Sequence, residues 1–302
     1  ETRSSYEIER ETEIPKKRMA RFIALLKEAS RSEYLTKEKL IELQNYTVDP
    51  RFADKDFRNS QNYVGESIAY TQEKLHYIPP KPEDVAWLME GLFQCYFRMV
   101  DSQINPVLIA TVISFGFVFI HPFEDGNGRL HRFLIHHILS RLKMTPEGLI
   151  FPISATMLNH LREYDQCLES YSVPLMDLLE DYDLSPEGKL TIQDNKSEYY
   201  SYIDFTEIGR YLFRCVEKTI QNDFRNQLEY LISYDQTKKE IQEIVDMPDQ
   251  RIDLIIRLIL DNQGTLSKTK KGNFSPPLTS KEIQSIEKSI QKQMLSKNFS
   301  RK

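Results

Sequence analysis

The stretch from Asn105 to Ile120, NPVLIATVISFGFVFI, is apolar on nearly every side and breaks at once into a polar, glycine-containing run, HPFEDGNGRLHR. A helix without a polar face has nothing to offer water, so it must lie at the centre of a domain with other elements packed around it. It is too short to cross a bilayer, which takes about 20 consecutive apolar residues. The chain around it has 302 residues, 40% of them hydrophobic and only ten of them glycine. That is enough apolar material for one large domain or two to three small ones, and the scarcity of glycine with long 3.6-residue periodicity favours helices.

The rest of the chain supplies the packing partners. In RMARFIALLKEA, residues 18–29, Met19, Phe22, Ile23, Leu25 and Leu26 fall on one side of a helix. KPEDVAWLMEGLFQCYFRMV opens with Pro82 and places Glu83 and Asp84 in its first turn, where acids meet the positive end of the helix dipole. Residues 57–80, FRNSQNYVGESIAYTQEKLHYIPP, hold Tyr63, Val64, Ile68, Tyr70, Tyr77 and Ile78 around a glycine and read as the single β-hairpin, ended by Pro79 and Pro80. After DYDLSPEGKLTIQDNKSE, residues 181–198, the composition turns polar, which puts a boundary near residue 195. Beyond it, helices are expected in EIGRYLFRCVEKTIQNDFRNQLEYLISY and in DQRIDLIIRLILDNQG, the second stopped at Asn262 and Gly264, and a last one begins where Thr279 and Glu282 have capping-box spacing. The expected fold is mostly α: a helical core with a small β-hairpin, plus a C-terminal helical module. The expected division is an N-terminal helical region over 1–50, a core over 51–194 and the module over 195–302.

Charge and cysteine content narrow the function classes. A net charge of -5 and a pI near 5.8 disfavour general nucleic-acid binding, which needs a basic surface. Cys95, Cys167 and Cys215 lie far apart without CxxC spacing, so they read as reduced thiols rather than a disulfide framework or zinc site. The opening ETRSSYEIERE has no basic and apolar leader, so a cytoplasmic protein without a membrane anchor is expected.

The polar run carries the chemistry. Leu130, Leu134, Ile138 and Leu142 recur every four residues, so a helix starts near Arg129 and the loop Gly126-Asn127-Gly128 sits at its N-terminus. Glycines leave backbone N–H groups approachable, and a helix start adds about half a positive charge, together forming an anion-binding nest. Arg129 and Arg132 are three residues apart on one face of the first turn and can both aim at the anion, a set suited to a di- or triphosphate and hence to a nucleotide. Asp125 can hold a magnesium ion jointly with substrate phosphates. His121 is suited to take a proton from an attacking hydroxyl. Taken singly, each residue has an ordinary reading: a packed histidine, a capping aspartate or asparagine, two solvated arginines.

Taken in order, the string matches H-x-F-x-[D/E]-G-N-G-R-x-x-R at His121, Phe123, Asp125, Gly126, Asn127, Gly128, Arg129 and Arg132, and so resembles the signature of Fic proteins. The resemblance implies an enzyme that moves AMP from ATP onto a Ser, Thr or Tyr hydroxyl of a target protein and releases pyrophosphate. It implies His121 as general base, Asp125 as magnesium ligand, Gly126, Asn127 and Gly128 as the anion hole, and Arg129 and Arg132 as clamps on the outer phosphates. Residues 57–80 resemble the flap that aligns the target by strand pairing. Near the N-terminus, Ser5-Tyr6-Glu7-Ile8-Glu9 resembles the family's inhibitory motif [S/T]-x-x-x-E-[G/N], with Arg10 where Gly or Asn is usual. That implies a Glu9–Arg132 pair that blocks seating of the γ-phosphate. Tyr164, on a helix soon after the motif, could flank the adenine or simply pack.

Three functional readings stand at this level. The first is an autoinhibited AMP transferase with ATP and magnesium. The second is a Fic enzyme with another donor, or one that removes AMP. The third is a regulator whose C-terminal module, through the turn QGTLSKTKKGNF, is a winged-helix-like nucleic-acid binder, which the acidic composition disfavours. Self-modification and a homodimer are compatible with the sequence, which does not identify the target.

Overall fold

In the computed structural model, residues 1–302 are described except 12, 32, 70–71, 146–149, 186, 194–196, 268–276 and 296–302. The chain divides into two units, Glu1–Thr219 and Ile220–Lys302. The first contains α1 (Thr2–Ile8), α2 (Lys16–Glu28), α3 (Lys37–Thr47), the hairpin β1 (Val64–Ala69) and β2 (Gln72–Tyr77), α4 (Pro82–Asp101), α5 (Pro106–Ile120), α6 (Asn127–Arg141), α7 (Ile153–Asn159), α8 (Leu161–Leu178), a second hairpin β3 (Tyr182–Leu184) and β4 (Leu190–Ile192), α9 (Ser197–Ser201) and α10 (Thr206–Lys218). The fold is mostly α, as the periodicity predicts.

α5 occupies the centre because its composition allows nothing else. Asn105 caps it by accepting from the Val107 N–H, Pro106 fits the first position, and Ile113, Phe115 and Phe117 are fully buried. α4, α6 and α10 pack around it. Each such side chain contributes about 1.5–3 kcal/mol by leaving water, so this helix fixes the position of whatever follows its C-terminus.

β1 and β2 pair antiparallel, with Val64 opposite Tyr77 and Glu66 opposite Lys74. This is the expected flap hairpin; its turn, with Tyr70, lies outside the described residues. A second hairpin, β3–β4, departs from the single-hairpin expectation. Its strands are three residues each, inside the polar stretch that reads as a boundary, and Gly188 at φ 78° makes the turn.

The spatial division also falls later than the composition break near 195. Ile208, Tyr211, Leu212, Cys215 and Val216 of α10 are buried, and α10 packs on α5, α7 and α8, so the segment up to Thr219 belongs to the first unit. The expected N-terminal region, 1–50, is part of the same unit, since α1 packs on α2, α6 and α7.

The second unit holds α11 (Arg225–Ile244), α12 (Asp249–Asp261) and α13 (Ser280–Ile290) around a core that includes Ile241, Ile252, Ile255, Ile259, Ile283, Ile286 and Ile290. α13 starts with the anticipated capping box: Thr279 Oγ1 accepts from Glu282 N–H and Glu282 accepts from Thr279 N–H. Most of the turn read as a possible nucleic-acid wing lies outside the described residues. Among the described residues no helix is long and apolar enough to cross a membrane.

Candidate active site

The end of α5 delivers His121 in a left-handed conformation, φ 53° and ψ 58°, its N–H bonded to Phe117 O at 3.0 Å. Its Nδ1 lies 3.0 Å from Val118 O. A carbonyl can only accept, so Nδ1 carries the hydrogen and Nε2 keeps its lone pair. Burial pushes the imidazole pKa down to about 4; the Val118 bond and the acids Glu9 and Asp125 oppose that, and the Arg58 charge reinforces it. His121 is therefore neutral near pH 7, the state a base requires.

Phe123 anchors the loop, fully buried against Phe57 and Phe117 at ring distances of 5.7 and 6.3 Å. Asn127 closes it: its side chain accepts from Phe123 N–H at 3.1 Å and donates to Phe123 O at 2.7 Å. The Asn127 side chain thus shapes the loop and only its backbone faces the helix start, a narrower part than the expected anion-hole role. Gly126, at φ 91°, approaches Val48 so closely that a Cβ would sit 3.0 Å from its Cγ1. A Cβ on Gly128 would sit 2.2 Å from Glu9 Oε1. The Glu9 carboxylate thus lies against Gly128 at the start of α6, while the Gly126 N–H donates to Asp125 Oδ1 at 2.6 Å.

The N-terminal turn explains how that carboxylate arrives. α1 ends in a Schellman motif: Glu11 N–H bonds to Tyr6 O at 3.1 Å and Arg10 N–H to Glu7 O at 3.0 Å. This geometry requires a left-handed residue between Glu9 and Glu11, and Arg10 has φ 61°. Gly or Asn takes that conformation at lower cost, which gives a physical reason for the usual residue at this motif position. Glu9 Oε1 then meets Arg132 at 2.7 Å. Arg132 also donates through Nε to Ser5 Oγ at 3.0 Å and through a terminal nitrogen to Ser5 O at 2.7 Å. Its side chain is 1% exposed. Burial works against its charge, and Glu9, with Tyr164, outweighs that and raises its pKa.

Arg129, equally buried, does not share the nest with Arg132 as expected. It reaches Glu11 Oε1 at 2.7 Å, Thr47 O at 3.2 Å and Asp125 Oδ1, and lies over the Tyr6 ring with 5.6 Å to its centroid. Glu11 is in turn bonded by Arg18. Neither Glu11, Arg18 nor Tyr6 stands out in the sequence as a site residue; the only signal is the i, i+2 pair of acids past the helix end.

Tyr164 is buried on α8, stacked on His131 at 6.0 Å and tilted toward Tyr211 at 6.2 Å. It is 4% exposed and shares a side-chain hydrogen bond with Arg132. His136 and His137 are buried too, and approach Leu26 O and Ala29 O at 3.3 and 2.6 Å, where α6 lies against α2. Among the described residues no group of three or more His, Cys, Asp or Glu could hold a metal ion. Asp125 has its side chain 48% exposed, with Oδ1 accepting from Arg129 and from the Gly126 N–H. One open carboxylate fits magnesium, which keeps waters and takes substrate phosphates in preference to an all-protein cage.

Fold and loop together define a helical protein with a glycine-flanked helix start against the Glu9 carboxylate and a neutral imidazole at the preceding helix end. Residues 34–139 match the model of the Fic/DOC family. The protein adenylyltransferase Fic of Drosophila mojavensis is 34% identical over 116 residues, 37% of this chain and 21% of that protein. That of Drosophila melanogaster is 36% identical over 99 residues, 33% and 18% respectively, so the chain spans about a fifth of the length of these relatives. A crystal structure of a Fic family protein from Desulfovibrio desulfuricans G20 aligns with TM-score 0.49 and 15% identity over 98% of this chain and 77% of that one. The motif at 121–132 lies inside the stretch that matches the Fic/DOC model, and the fly proteins that share part of this chain are named Fic.

Proposed function

We propose that the chain is a protein adenylyltransferase held at rest by its own N-terminal helix. The observation that supports this most is the Glu9 carboxylate lying over Gly128 and bonded to Arg132, the position in which a nucleotide's outer phosphate would use both groups. In the active state the target hydroxyl attacks the α-phosphorus of ATP, and His121 Nε2 takes its proton. The new bond is oxygen to phosphorus; the bond that breaks joins the α-phosphorus to the bridging oxygen of the departing pyrophosphate. Gly128 and its neighbours stabilise the charge that gathers on the leaving group, with Arg132 beside them. Asp125 would hold magnesium, which supplies charge neutralisation on the phosphates; to do so the carboxylate turns from Arg129.

Release means that α1 withdraws Glu9, and Arg132 exchanges a carboxylate for a phosphate. Glu11 on Arg129 is a second point of the same hold. The adenylyltransferase names of the fly proteins support ATP as donor and a protein hydroxyl as acceptor for the shared domain.

The test uses the Glu9→Gly protein with magnesium and either α- or γ-labelled ATP, read on protein by gel and intact mass. Transfer of the α-label alone, lost on adding His121→Ala, is the expected result. Transfer of the γ-label, or α-label transfer that survives His121→Ala, would refute the donor or the base respectively.

A further inference from the structure

The loop that carries His121 is held from a direction the motif does not reveal. Arg58, four per cent exposed, precedes β1 at the root of the flap. Its Nε donates to His121 O at 2.8 Å, and its backbone N–H donates to Pro122 O at 2.8 Å. The two terminal nitrogens donate to Ser60 O, at 2.9 Å, and to Pro80 O. One guanidinium therefore joins three carbonyls: that of His121, one just before β1 and one just after β2.

The His121 bond stands at one of the few described non-glycine residues with a left-handed backbone, φ 53°. A left-handed histidine is uncommon and persists only when its surroundings over-determine it. The turn swings its carbonyl out of the helix ladder, so it needs a donor from elsewhere, and a buried carbonyl without one costs about 1–3 kcal/mol. The same turn lays the ring over the last turn of α5, where Nδ1–H meets Val118 O. Tyr77, at the end of β2, adds a second tie by donating to Phe119 O, and Asn62 a third by donating to Phe123 O at 3.1 Å.

We propose that Arg58 is a positioning residue for the base: it holds His121 in the left-handed turn that presents Nε2, and locks that turn to both ends of the hairpin that would receive the target. A hydroxyl docked on the flap and the imidazole that takes its proton then share one rigid frame. An arginine is required because a fork of donors serves three acceptors at once, which a lysine ammonium on its flexible stem cannot match. The proposal rests on the reading of His121 as base.

The experiment places Arg58→Met and Arg58→Lys in the Glu9→Gly protein and records melting temperature, ATP affinity, transfer at saturating ATP and the His121 tautomer by long-range ¹H–¹⁵N NMR. Methionine keeps the stem and removes the donors. The expected result is a fall in transfer of about 100-fold with ATP affinity changed by less than about threefold, because misplacement near the reacting atoms acts on the chemical step. Arg58→Lys should recover about tenfold of that loss, and the Nδ1–H signature of His121 should give way to mixed tautomers in Arg58→Met. Unchanged transfer with an unchanged tautomer overturns the proposal, as does a loss confined to melting temperature and ATP affinity. If Arg58→Met does not fold, Arg58→Lys decides on the same two readouts. If Glu9→Gly itself transfers nothing, the base reading fails, and the tautomer comparison still decides whether Arg58 orients the ring.

Discussion

Glu9 and Glu11 sit two residues apart on one Schellman turn and each meets a buried motif arginine at 2.7 Å, yet the two contacts are not equivalent. Arg132 is bonded from the N-terminal helix by Glu9, Ser5 Oγ and Ser5 O, and from α8 by the Tyr164 hydroxyl. Arg129 draws on Glu11 but also on Asp125 and Thr47 O, both outside that helix. Withdrawal of α1 therefore strips Arg132 of its carboxylate partner and leaves it Tyr164, whereas Arg129 keeps the Asp125 carboxylate and Thr47 O. The hold on Arg132 rests on the one carboxylate that α1 brings, so its loss demands a replacement anion. The hold on Arg129 is graded.

The largest effect should follow from Glu9→Gly. Truncating one member of a buried, hydrogen-bonded charge pair costs about 3 kcal/mol, which as lost inhibition is a rise in transfer of about 100-fold. The same variant should melt at lower temperature than wild type without nucleotide and show the larger upward shift on adding ATP and magnesium, since a phosphate then answers the stranded guanidinium. Equal melting shifts in both proteins would break the contrast. Glu11→Gln should raise transfer by no more than about fivefold, because Arg129 keeps Asp125 and Thr47 O. In the Glu9→Gly background it should add less than about twofold, a coupling that a double-mutant cycle measures.

Arg10→Gly should act in the opposite direction. Relief of the left-handed strain favours the docked turn, so transfer should fall by about threefold, and a rise would show that the Arg10 side chain helps to hold α1 down. Its 4.0 Å approach to Glu66 of β1 is long and exposed, and is expected to contribute little.

A smaller, global effect should appear with pH. His121 and His131 have pKa values pushed down by burial to about 4 and about 3, and His136 is lowered for the same reason. Unfolding returns each to about 6.5, so the unfolded chain binds more protons below that value, and stability present above it is lost as pH falls. Urea midpoints measured between about pH 7.5 and about pH 5 should decline from about pH 6.5 downward. For His121 the same shift keeps the base neutral, so the acid limb of transfer should lie below about pH 5 rather than near 6.5.

Much of this was legible in the chain. A helix apolar all round had to be central, and the residues after it had to form a loop before the next amphipathic run. The motif located the loop and helix start, and Ser5 with Glu9 located the acid that meets Arg132 there. What escaped depends on backbone direction rather than on pattern. Glu11 reaches Arg129 only because a left-handed Arg10 turns the chain, and nothing in SSYEIERE announces that turn. Arg58 serves carbonyls, which have no residue identity to correlate with. Tyr164 looked available because its helix follows the motif, whereas its rotation about that helix sends it into the core. The β3–β4 hairpin has strands too short for alternation to be visible, and the polar stretch around it masks the attachment of α10 to the first unit.

The most direct measurement of the central claim is the rate of AMP transfer from magnesium ATP by wild type beside Glu9→Gly, in one preparation and at one saturating ATP concentration. A wild type near background and a Glu9→Gly protein about 100-fold faster is the predicted result. Equal rates, fast or slow, would contradict it: the carboxylate over Gly128 would then be an occupant of the nest without being its brake.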